Sequence, residues 1–508
     1  MNPETLTSRR LLALFSAVVA AVVYLNSLAN GFALDDVSIV QLNKRVHDAL
    51  DLREIWLTPY WPLDGRELGL YRPATIFLFA VQWAAGDGQA WLFHAVNIGL
   101  HAAVTALVFL LLDRLTGRAA ALAGALVFAV HPVHTEAVAN IVGQAEIVGA
   151  FLVLAACVLH VERPAGVVVS WPRRVLLVLL FAWALCTKES TVVLPALLII
   201  VDLAHGRVSR RGVAEYADAM LMPLLLLAAT LAAWLILRFD VMGGSVIGVD
   251  AAPAMPYLRG EHRVLNALRA FPELIRLLFF PWDLAADYLP GILLPVESVR
   301  PMVLLGAALL AALSLLALVT PWRPQAGFPA AWFLISIATV SNLFFPVGVL
   351  VAERTLYLPS LAISAAAAYG WRAASRRGAP WVRRALPVGL VALLLVLGGR
   401  TWIRNPDWKD TLAVMNAFVR DHPHSYRAQW ALASSHRIQG DVAAADARYR
   451  LATTIYDRDA RLLTEYAELL LSMARFDEAI ALLERSYRAQ PNAGHTAVLL
   501  VHAYLAVG

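Results

Sequence analysis

Long apolar runs separated by short polar segments dominate the first 400 residues. A membrane span needs about 20 mostly apolar residues, and shorter spans are tolerated inside a bundle. The pattern predicts eleven spans, at 11–29, 91–112, 119–131, 144–161, 174–187, 190–203, 219–238, 301–319, 328–345, 356–371 and 385–402. The composition agrees, since 60% of the 508 residues are hydrophobic and 16% are charged. The first run is alternatively a signal peptide, with Arg9 and Arg10 as its charged start.

The distribution of Lys and Arg predicts the orientation. With the N-terminus inside, the inner segments hold 16 of these residues in 60 positions, whereas the outer segments hold 12 in 135. Positive charge accumulates on the cytoplasmic side of membrane proteins, so this contrast supports the assignment. Arg greatly outnumbers Lys, a bias typical of GC-rich bacterial genomes. We therefore expect an integral protein of a bacterial inner membrane, whose first outer loop (30–90) faces the periplasm.

After residue 402 the chain becomes polar and repeats at a spacing of 34. Residues of similar size recur at this spacing in four sets: Gly440, Ala474 and Gly508; Ala433, Ala467 and Val501; Ala445 and Ala479; Tyr449 and Leu483. Small residues recur where two helices touch, which predicts tetratricopeptide repeats (TPRs), although plain helical hairpins are an alternative. Such arrays commonly hold an extended polypeptide in a groove, and an odd number of spans places this one outside.

The sequence thus predicts an all-α fold with two domains. Residues 1–402 form a polytopic membrane helix bundle, and residues 403–508 form a TPR α-solenoid. Both cysteines, Cys157 and Cys186, lie in apolar runs, which favours buried thiols over a disulfide. The basic residues form no aromatic-rich basic face, so nothing indicates nucleic acid as a partner.

Ionisable residues collect at the predicted outer ends of the spans. They are Asp35, Asp36, Arg72, His131, His134, Glu136, Lys188, Glu189, Glu353 and Arg354. Charges near a bilayer are costly and tend to face a cavity, a partner or a substrate. Each residue also has a structural alternative: Asp35 as a helix cap, Arg354 paired with Glu353, and His131 as a satisfied histidine.

This arrangement suits transfer of a sugar from a lipid carrier. Arg72, Lys188 and Arg354 are candidates to hold the carrier's phosphate, because cations stabilise negative charge that develops on a departing phosphate. A carboxylate of Asp35 or Asp36 would take the proton of an acceptor hydroxyl. His131, His134, Glu136 and Glu353 are candidates for an acceptor or metal site, and a divalent metal held by the first three with Asp36 is an open hypothesis. No ligand motif of fixed spacing supports that hypothesis.

Several longer stretches resemble one known family. They are YRP (71–73), HPVHTEAVANIVGQAEIVG (131–149), CTKES (186–190), PWDLAADY (281–288) and SNLFFPVGVLVAERTLYLPS (341–360). In this order, and followed by predicted TPRs, they resemble the transmembrane and tetratricopeptide-repeat O-mannosyltransferases of the C-type glycosyltransferase superfamily. The eukaryotic members usually carry an aromatic residue before the acid pair, where this chain has Leu34.

The resemblance implies a polyprenyl- or dolichyl-phosphate-mannose donor, a Ser/Thr acceptor and inversion at the sugar carbon. It also implies that the acid pair of the first outer loop contains the catalytic base, and we prefer Asp36 to Asp35 for this role. We expect a membrane-embedded mannosyltransferase whose TPR groove binds the acceptor polypeptide. The alternatives are a transferase acting on a lipid or cell-wall glycan, and a non-enzymatic TPR scaffold anchored in the membrane.

Overall fold

A computed structural model describes residues 3–48, 51–62, 69–163, 169–208, 212–244, 260, 262–288, 292–491 and 493–508. Within these ranges every regular element is a helix, which agrees with the predicted all-α class. The helices of ten or more residues are Pro3–Val23, Pro73–Gly86, Ala90–Thr116, Arg118–Val130, Gln144–Val161, Trp171–Thr187, Leu194–Ala204, Val213–Val241, His262–Phe279, Pro301–Leu318, Pro324–Ile337, Leu361–Arg377, Pro380–Arg404, Thr411–Asp421, Tyr426–Ile438, Val442–Ile455, Ala460–Ser472, Phe476–Ala489 and Gly494–Val507.

The chain is an integral membrane protein with several helices that can span a bilayer. In the described residues, five stretches are long and apolar enough by themselves: Ala90–Thr116, Ile141–Val161, Val213–Val241, Pro301–Leu318 and Pro380–Trp408. A sixth arises if Arg118–Val130 and Pro132–Val138, which meet at a bend of 48°, form one broken span. Each of the eleven predicted spans overlaps a helix. The number that cross the membrane stays a prediction.

Two predicted outer segments contain helices that the sequence pattern did not indicate. Pro73–Gly86 lies in the first outer loop, and its 14 residues are fewer than a span requires. It packs beside Trp171–Thr187, whose last carbonyl accepts a hydrogen bond from the Thr75 hydroxyl at 2.8 Å. His262–Phe279 carries three arginines and a glutamate among its apolar residues, so it does not form a continuous apolar run. These segments are therefore structured parts of the bundle.

A close helix contact aligns two of the polar segments that the sequence analysis assigned to the outer side. A Cβ atom at Gly124 would lie 2.4 Å from the Ser364 carbonyl oxygen, so only glycine fits where Arg118–Val130 meets Leu361–Arg377. The outer end of the first helix leads directly into His131, and the second helix follows the segment that carries Arg354. The packing therefore brings residues 131–138 beside residues 353–356.

The last 100 residues fold as consecutive packed helices. Ala433, Ala445, Ala467 and Ala479 are fully buried, as their recurrence at helix contacts predicts. Gly440 and Ala474, which are 34 positions apart, both adopt positive φ, at 80° and 57°, in the turn after a helix. The helical hairpins thus repeat in geometry as well as in sequence, and the tetratricopeptide assignment itself stays a prediction.

Candidate active site

The two adjacent acids after the first span occupy different environments. Asp36 is fully buried, and its carboxylate accepts hydrogen bonds from the backbone N–H groups of Ala33 (3.0 Å), Ile141 (3.3 Å) and Val142 (2.8 Å). Burial raises the pKa of Asp36 to about 7, although these three N–H donors oppose the shift. Asp36 therefore ties the first outer loop to the segment that follows the HPVHTE motif.

Asp35 is accessible, in contrast to its neighbour. Its side chain is 37% exposed, and its Oδ2 lies 3.3 Å from Nη1 of Arg354. Leu34 adopts positive φ at 49°, so the chain turns immediately before the acid pair. A general base must reach the proton that it removes. Asp35 is therefore the more accessible of the two candidate bases, whereas the sequence analysis preferred Asp36.

Arg354 bridges two carboxylates from distant segments. In addition to Asp35, its Nε lies 3.4 Å from Oε1 of Glu136, whose Oε2 accepts a 2.9 Å hydrogen bond from the Arg354 backbone N–H. Burial lowers the pKa of Arg354, but Glu136 and Asp35 raise it by more, so the guanidinium stays charged. Among the described residues its Nη2 has no partner within hydrogen-bond distance, which leaves one side of the guanidinium available to an anion.

Glu353 faces away from Arg354, although the two are adjacent in sequence. Its carboxylate is buried and receives hydrogen bonds from Arg404 Nη2 (3.0 Å), the Tyr288 hydroxyl (2.9 Å) and the Ala285 N–H (2.7 Å). The pairing of Arg354 with Glu353 that the sequence left open is therefore wrong. The candidate role of Glu353 in an acceptor or metal site stays a prediction; in this structure its carboxylate is buried and binds Arg404, Tyr288 and the Ala285 N–H.

Lys188 and Arg72 lie close to Arg354. Lys188 forms a buried ion pair with Glu146, and Arg72 Nε contacts Glu189 Oε2 at 2.9 Å. The pKa of Lys188 is lowered to about 8, chiefly by burial; Glu146 opposes the shift, whereas the nearby charges of Arg72 and Arg354 add to it. Three distant segments thus bring the predicted phosphate-binding cations into one region.

A fourth cation belongs to this region and was missed by the sequence analysis. Arg238 lies in the last turn of Val213–Val241, and its Nη1 is 3.4 Å from Oε1 of Glu189. Burial raises the pKa of Glu189, but Arg72 and Arg238 outweigh it, and the pKa falls to about 2. The available signal was an arginine at the predicted outer end of a span, because a charge at this position can serve a site as well as flank an apolar run.

The two histidines of HPVHTE point into the protein core. His131 Nε2 lies 2.9 Å from the Leu278 carbonyl oxygen, while its Nδ1 accepts a hydrogen bond from the Val133 N–H at 3.2 Å. His134 Nε2 lies 2.7 Å from the Ser360 hydroxyl. The structural alternative for His131 is thereby confirmed.

The metal site suggested for these two histidines with Glu136 and Asp36 is not assembled. Glu136 binds Arg354, and Asp36 binds backbone N–H groups. In the part of the chain that the structure describes, no group of three or more His, Cys, Asp or Glu residues is arranged to hold a metal ion. What the arrangement offers chemically is a partly exposed carboxylate, Asp35, in contact with Arg354 and in the same region as Lys188 and Arg72.

Comparison with known proteins supports the resemblance found in the sequence motifs. The chain is 30% identical over 421 residues to protein O-mannosyl-transferase TMTC3 of Mus musculus, covering 77% of this chain and 45% of that protein. The chain is homologous to this group of O-mannosyl-transferases. Protein O-mannosyl-transferase TMTC1 of Homo sapiens is 27% identical, with 88% of this chain and 55% of the relative covered. The predicted resemblance is thus confirmed, and the chain spans about half the length of the curated relatives it matches.

Two solved structures show a limited similarity to the chain. ArnT from Cupriavidus metallidurans, bound to undecaprenyl phosphate, has a TM-score of 0.43 at 14% identity and covers 97% of this O-mannosyl-transferase homologue and 77% of its own chain. The archaeal oligosaccharyltransferase AglB from Archaeoglobus fulgidus has a TM-score of 0.43 at 11% identity, covering 85% and 58% respectively. No protein-family model matches the chain.

Proposed function

We propose that this protein is a membrane glycosyltransferase that moves mannose from a polyprenyl-phosphate carrier to Ser or Thr hydroxyls of polypeptides on the outer side of a bacterial inner membrane. The names of the homologous O-mannosyl-transferases support the sugar and the class of acceptor. The observation that carries the proposal is the contact between partly exposed Asp35 and Arg354, because it sets a carboxylate against a cation at the predicted outer ends of the spans.

Asp35 acts as the general base in this proposal. The acceptor hydroxyl oxygen attacks the anomeric carbon and forms the new C–O bond, while the bond from that carbon to the phosphate oxygen breaks. The hydroxyl proton passes to the Asp35 carboxylate and then to water, and the carrier leaves as polyprenyl phosphate. Attack opposite to the leaving group inverts the anomeric centre. General base catalysis of this kind contributes about 10²–10⁴-fold to a rate.

The cations hold the phosphate and stabilise the charge it gains as the bond breaks. Arg354 presents Nη2, and the Nη atoms of Arg72 lie beyond the Nε that contacts Glu189. Lys188 supplies a third charge from the partly neutralised pair with Glu146. Each cation already has a carboxylate partner, so a bound phosphate must share the cation with that carboxylate. This competition favours reversible binding of the donor phosphate.

In this proposal the membrane region and the repeat region have different roles. Residues 1–402 form the transferase domain, whose first outer loop (30–90) supplies the base, and residues 403–508 form the repeat region that presents the acceptor polypeptide. The packed helical hairpins beyond residue 410 support this role, because such arrays bind extended peptides along one surface.

The test is a transfer assay with purified protein in detergent or nanodiscs. Synthetic polyprenyl-phosphate-mannose is supplied with Ser/Thr-containing peptides, with a lipid glycan acceptor, or with no acceptor. We expect mannosylated peptide, detected by mass spectrometry, and formation of this product about 10²–10⁴-fold slower with Asp35→Asn. Transfer to the lipid acceptor alone would favour the glycan alternative, and binding of peptide without any transfer would favour the scaffold.

A further inference from the structure

The loop that carries Asp35 is fastened to the segment entering the repeat region, residues 404–411, which we call the connector. The Asn30 side-chain Nδ2 donates to the Asn405 carbonyl at 3.0 Å, and the Gly31 N–H donates to the Lys409 carbonyl at 2.7 Å. The Leu34 N–H, one residue before Asp35, donates to the Thr411 hydroxyl at 2.9 Å. The loop is therefore held by residues at least 375 positions away in the sequence.

The connector also holds the residue next to Arg354. Arg404 lies at the start of the connector and binds both oxygens of Glu353, at 3.0 and 3.1 Å, in a buried ion pair. A buried ion pair is costly to break, because the remaining charge is left without a partner. The connector thus restrains both partners of the Asp35–Arg354 contact. It holds Asp35 through the hydrogen bonds of the loop, and it holds Arg354 through the ion pair of the neighbouring residue, Glu353.

The same segment is continuous with the repeat helices. Trp408 of the connector is buried against Ala33, and Thr411 begins the helix Thr411–Asp421. Further along, Arg427 lies 3.3 Å from Asp287 of the membrane domain, which restrains the repeat helices on the same side of the bundle. A change in the orientation of the repeat helices would therefore move the connector and, with it, the loop that carries Asp35.

We infer that the connector is a positioning element for the reacting carboxylate, through which the repeat region sets the geometry of Asp35 and Arg354. This inference rests on the proposed function for its consequence on turnover. Thr411 is its most direct positioning residue, because its hydroxyl is the acceptor for the N–H immediately before the acid pair. The repeat region would then both bind the acceptor polypeptide and, through the connector, position the Asp35 base.

The test compares Thr411→Val, which removes the hydroxyl, with Thr411→Ser, which keeps it. Amide hydrogen exchange of peptides covering 30–36 is measured in the full-length protein, together with kcat and the KM for polyprenyl-phosphate-mannose. Loss of one hydrogen bond is expected to speed exchange at the Leu34 amide about two- to tenfold. It should also lower kcat with little change in the KM, while Thr411→Ser behaves as wild type.

Two further variants make the result specific. Thr230→Val removes a hydroxyl that donates within its own helix, to the Leu226 carbonyl at 2.8 Å, and should change neither readout. Gly31→Ala probes the adjacent contact, because a Cβ there would lie 3.3 Å from the Lys409 carbonyl oxygen, and it should change both readouts in the same direction as Thr411→Val.

The outcomes separate this inference from the proposed function. Faster exchange in Thr411→Val with unchanged kcat would overturn the positioning role, and unchanged exchange would overturn the attachment itself. A wild-type protein that transfers no sugar would instead overturn the proposed function, while faster exchange in Thr411→Val, rescued by Thr411→Ser, would still support the attachment of the loop.

Discussion

Nη1 of Arg354 lies 3.3 Å from Oδ2 of Asp35, although 319 positions separate the two residues. The contact joins the first outer loop to the segment before the helix Leu361–Arg377. It places an accessible carboxylate directly beside the cations proposed to hold the donor phosphate. The functional predictions below start from this contact and from the different environment of Asp36.

Replacing Asp35 by Asn is expected to abolish transfer without unfolding the protein. The amide lacks the basicity to take the acceptor proton, so turnover should fall by about 10²–10⁴-fold. Donor binding should stay normal or strengthen, because Arg354 loses a competing carboxylate. The measurements are transfer kinetics and equilibrium donor binding. Asp457→Asn, which alters an exposed acid in the repeat region, is the matched control; near-normal turnover in Asp35→Asn would remove the proposed base.

Asp36→Asn should act on stability first. Both carboxylate oxygens accept backbone N–H groups, and an Asn side chain would turn its own N–H₂ toward at least one of these donors. An unsatisfied buried donor costs about 1–3 kcal/mol. Thermal unfolding in detergent should therefore shift downward relative to Asp35→Asn. Unchanged stability combined with lost turnover would return the role of base to Asp36.

The donor affinity should depend on pH through Lys188. The Lys188 side-chain amine must be protonated to attract phosphate, and its pKa is lowered to about 8, mainly by burial. The attraction between Lys188 and the phosphate is complete at a pH well below this pKa and is lost as the pH rises through it. A bound anion raises the pKa of Lys188, so in the donor complex the attraction is lost at a somewhat higher pH. Loss of a charged hydrogen bond of about 1.5–3 kcal/mol would weaken binding roughly 10- to 100-fold.

Two lysine variants check this explanation. Lys188→Arg should flatten the pH profile of donor binding, since a guanidinium stays charged over this range. Lys44→Arg changes an exposed lysine in the first outer loop and should keep the wild-type profile. A profile that is equally steep in wild type and Lys188→Arg would show that another group causes it.

The sequence predicted the helices of the bundle better than the outer segments. A long apolar run indicates a helix that is surrounded by lipid or protein, because a polar group exposed to lipid is costly at every position of such a helix. Pro73–Gly86 is too short for that criterion, and the arginines of His262–Phe279 obscure its apolar face. Both helices are recognisable only when packing against the other spans is known.

For the candidate site, the sequence identified the charged residues but not their partners. Arg354 stands at the end of a predicted span, and this assigns it to the predicted outer face from the sequence alone. Whether it binds Glu353 or Asp35 depends on how the segments turn, and Arg404 takes Glu353 from 51 positions away. Similarly, no periodicity distinguishes buried Asp36 from exposed Asp35. Only the contact with residues 141 and 142 does so.

The predicted topology is tested by reporters at three positions. A reporter after Gly508 should be active in the periplasm and one at Arg376 in the cytoplasm, because eleven spans separate the N-terminus from the repeats. A third reporter at Gly88 follows the helix Pro73–Gly86 and should be active in the periplasm if that helix does not cross. Activity of the first two reporters on the same side would contradict the eleven-span topology.

Removal of the repeats should separate acceptor recruitment from positioning of the base. A chain cut after Pro423 keeps the connector and the helix Thr411–Asp421, whereas a chain cut after Arg404 loses the carbonyl and hydroxyl groups that fasten the Asp35 loop. Both should bind polyprenyl-phosphate-mannose.

We expect the longer chain to lose at least about tenfold in kcat/KM for long polypeptide acceptors, equivalent to ~1.4 kcal/mol. It should retain turnover with short peptides, whereas the shorter chain should lose turnover with both. Size-exclusion chromatography checks that each chain is folded, and full-length Ala445→Leu provides a second test, because overpacking this buried helix contact costs about 1–3 kcal/mol. Full-rate modification of long acceptors by the chain cut after Pro423 would exclude a role for the repeats in presenting the substrate.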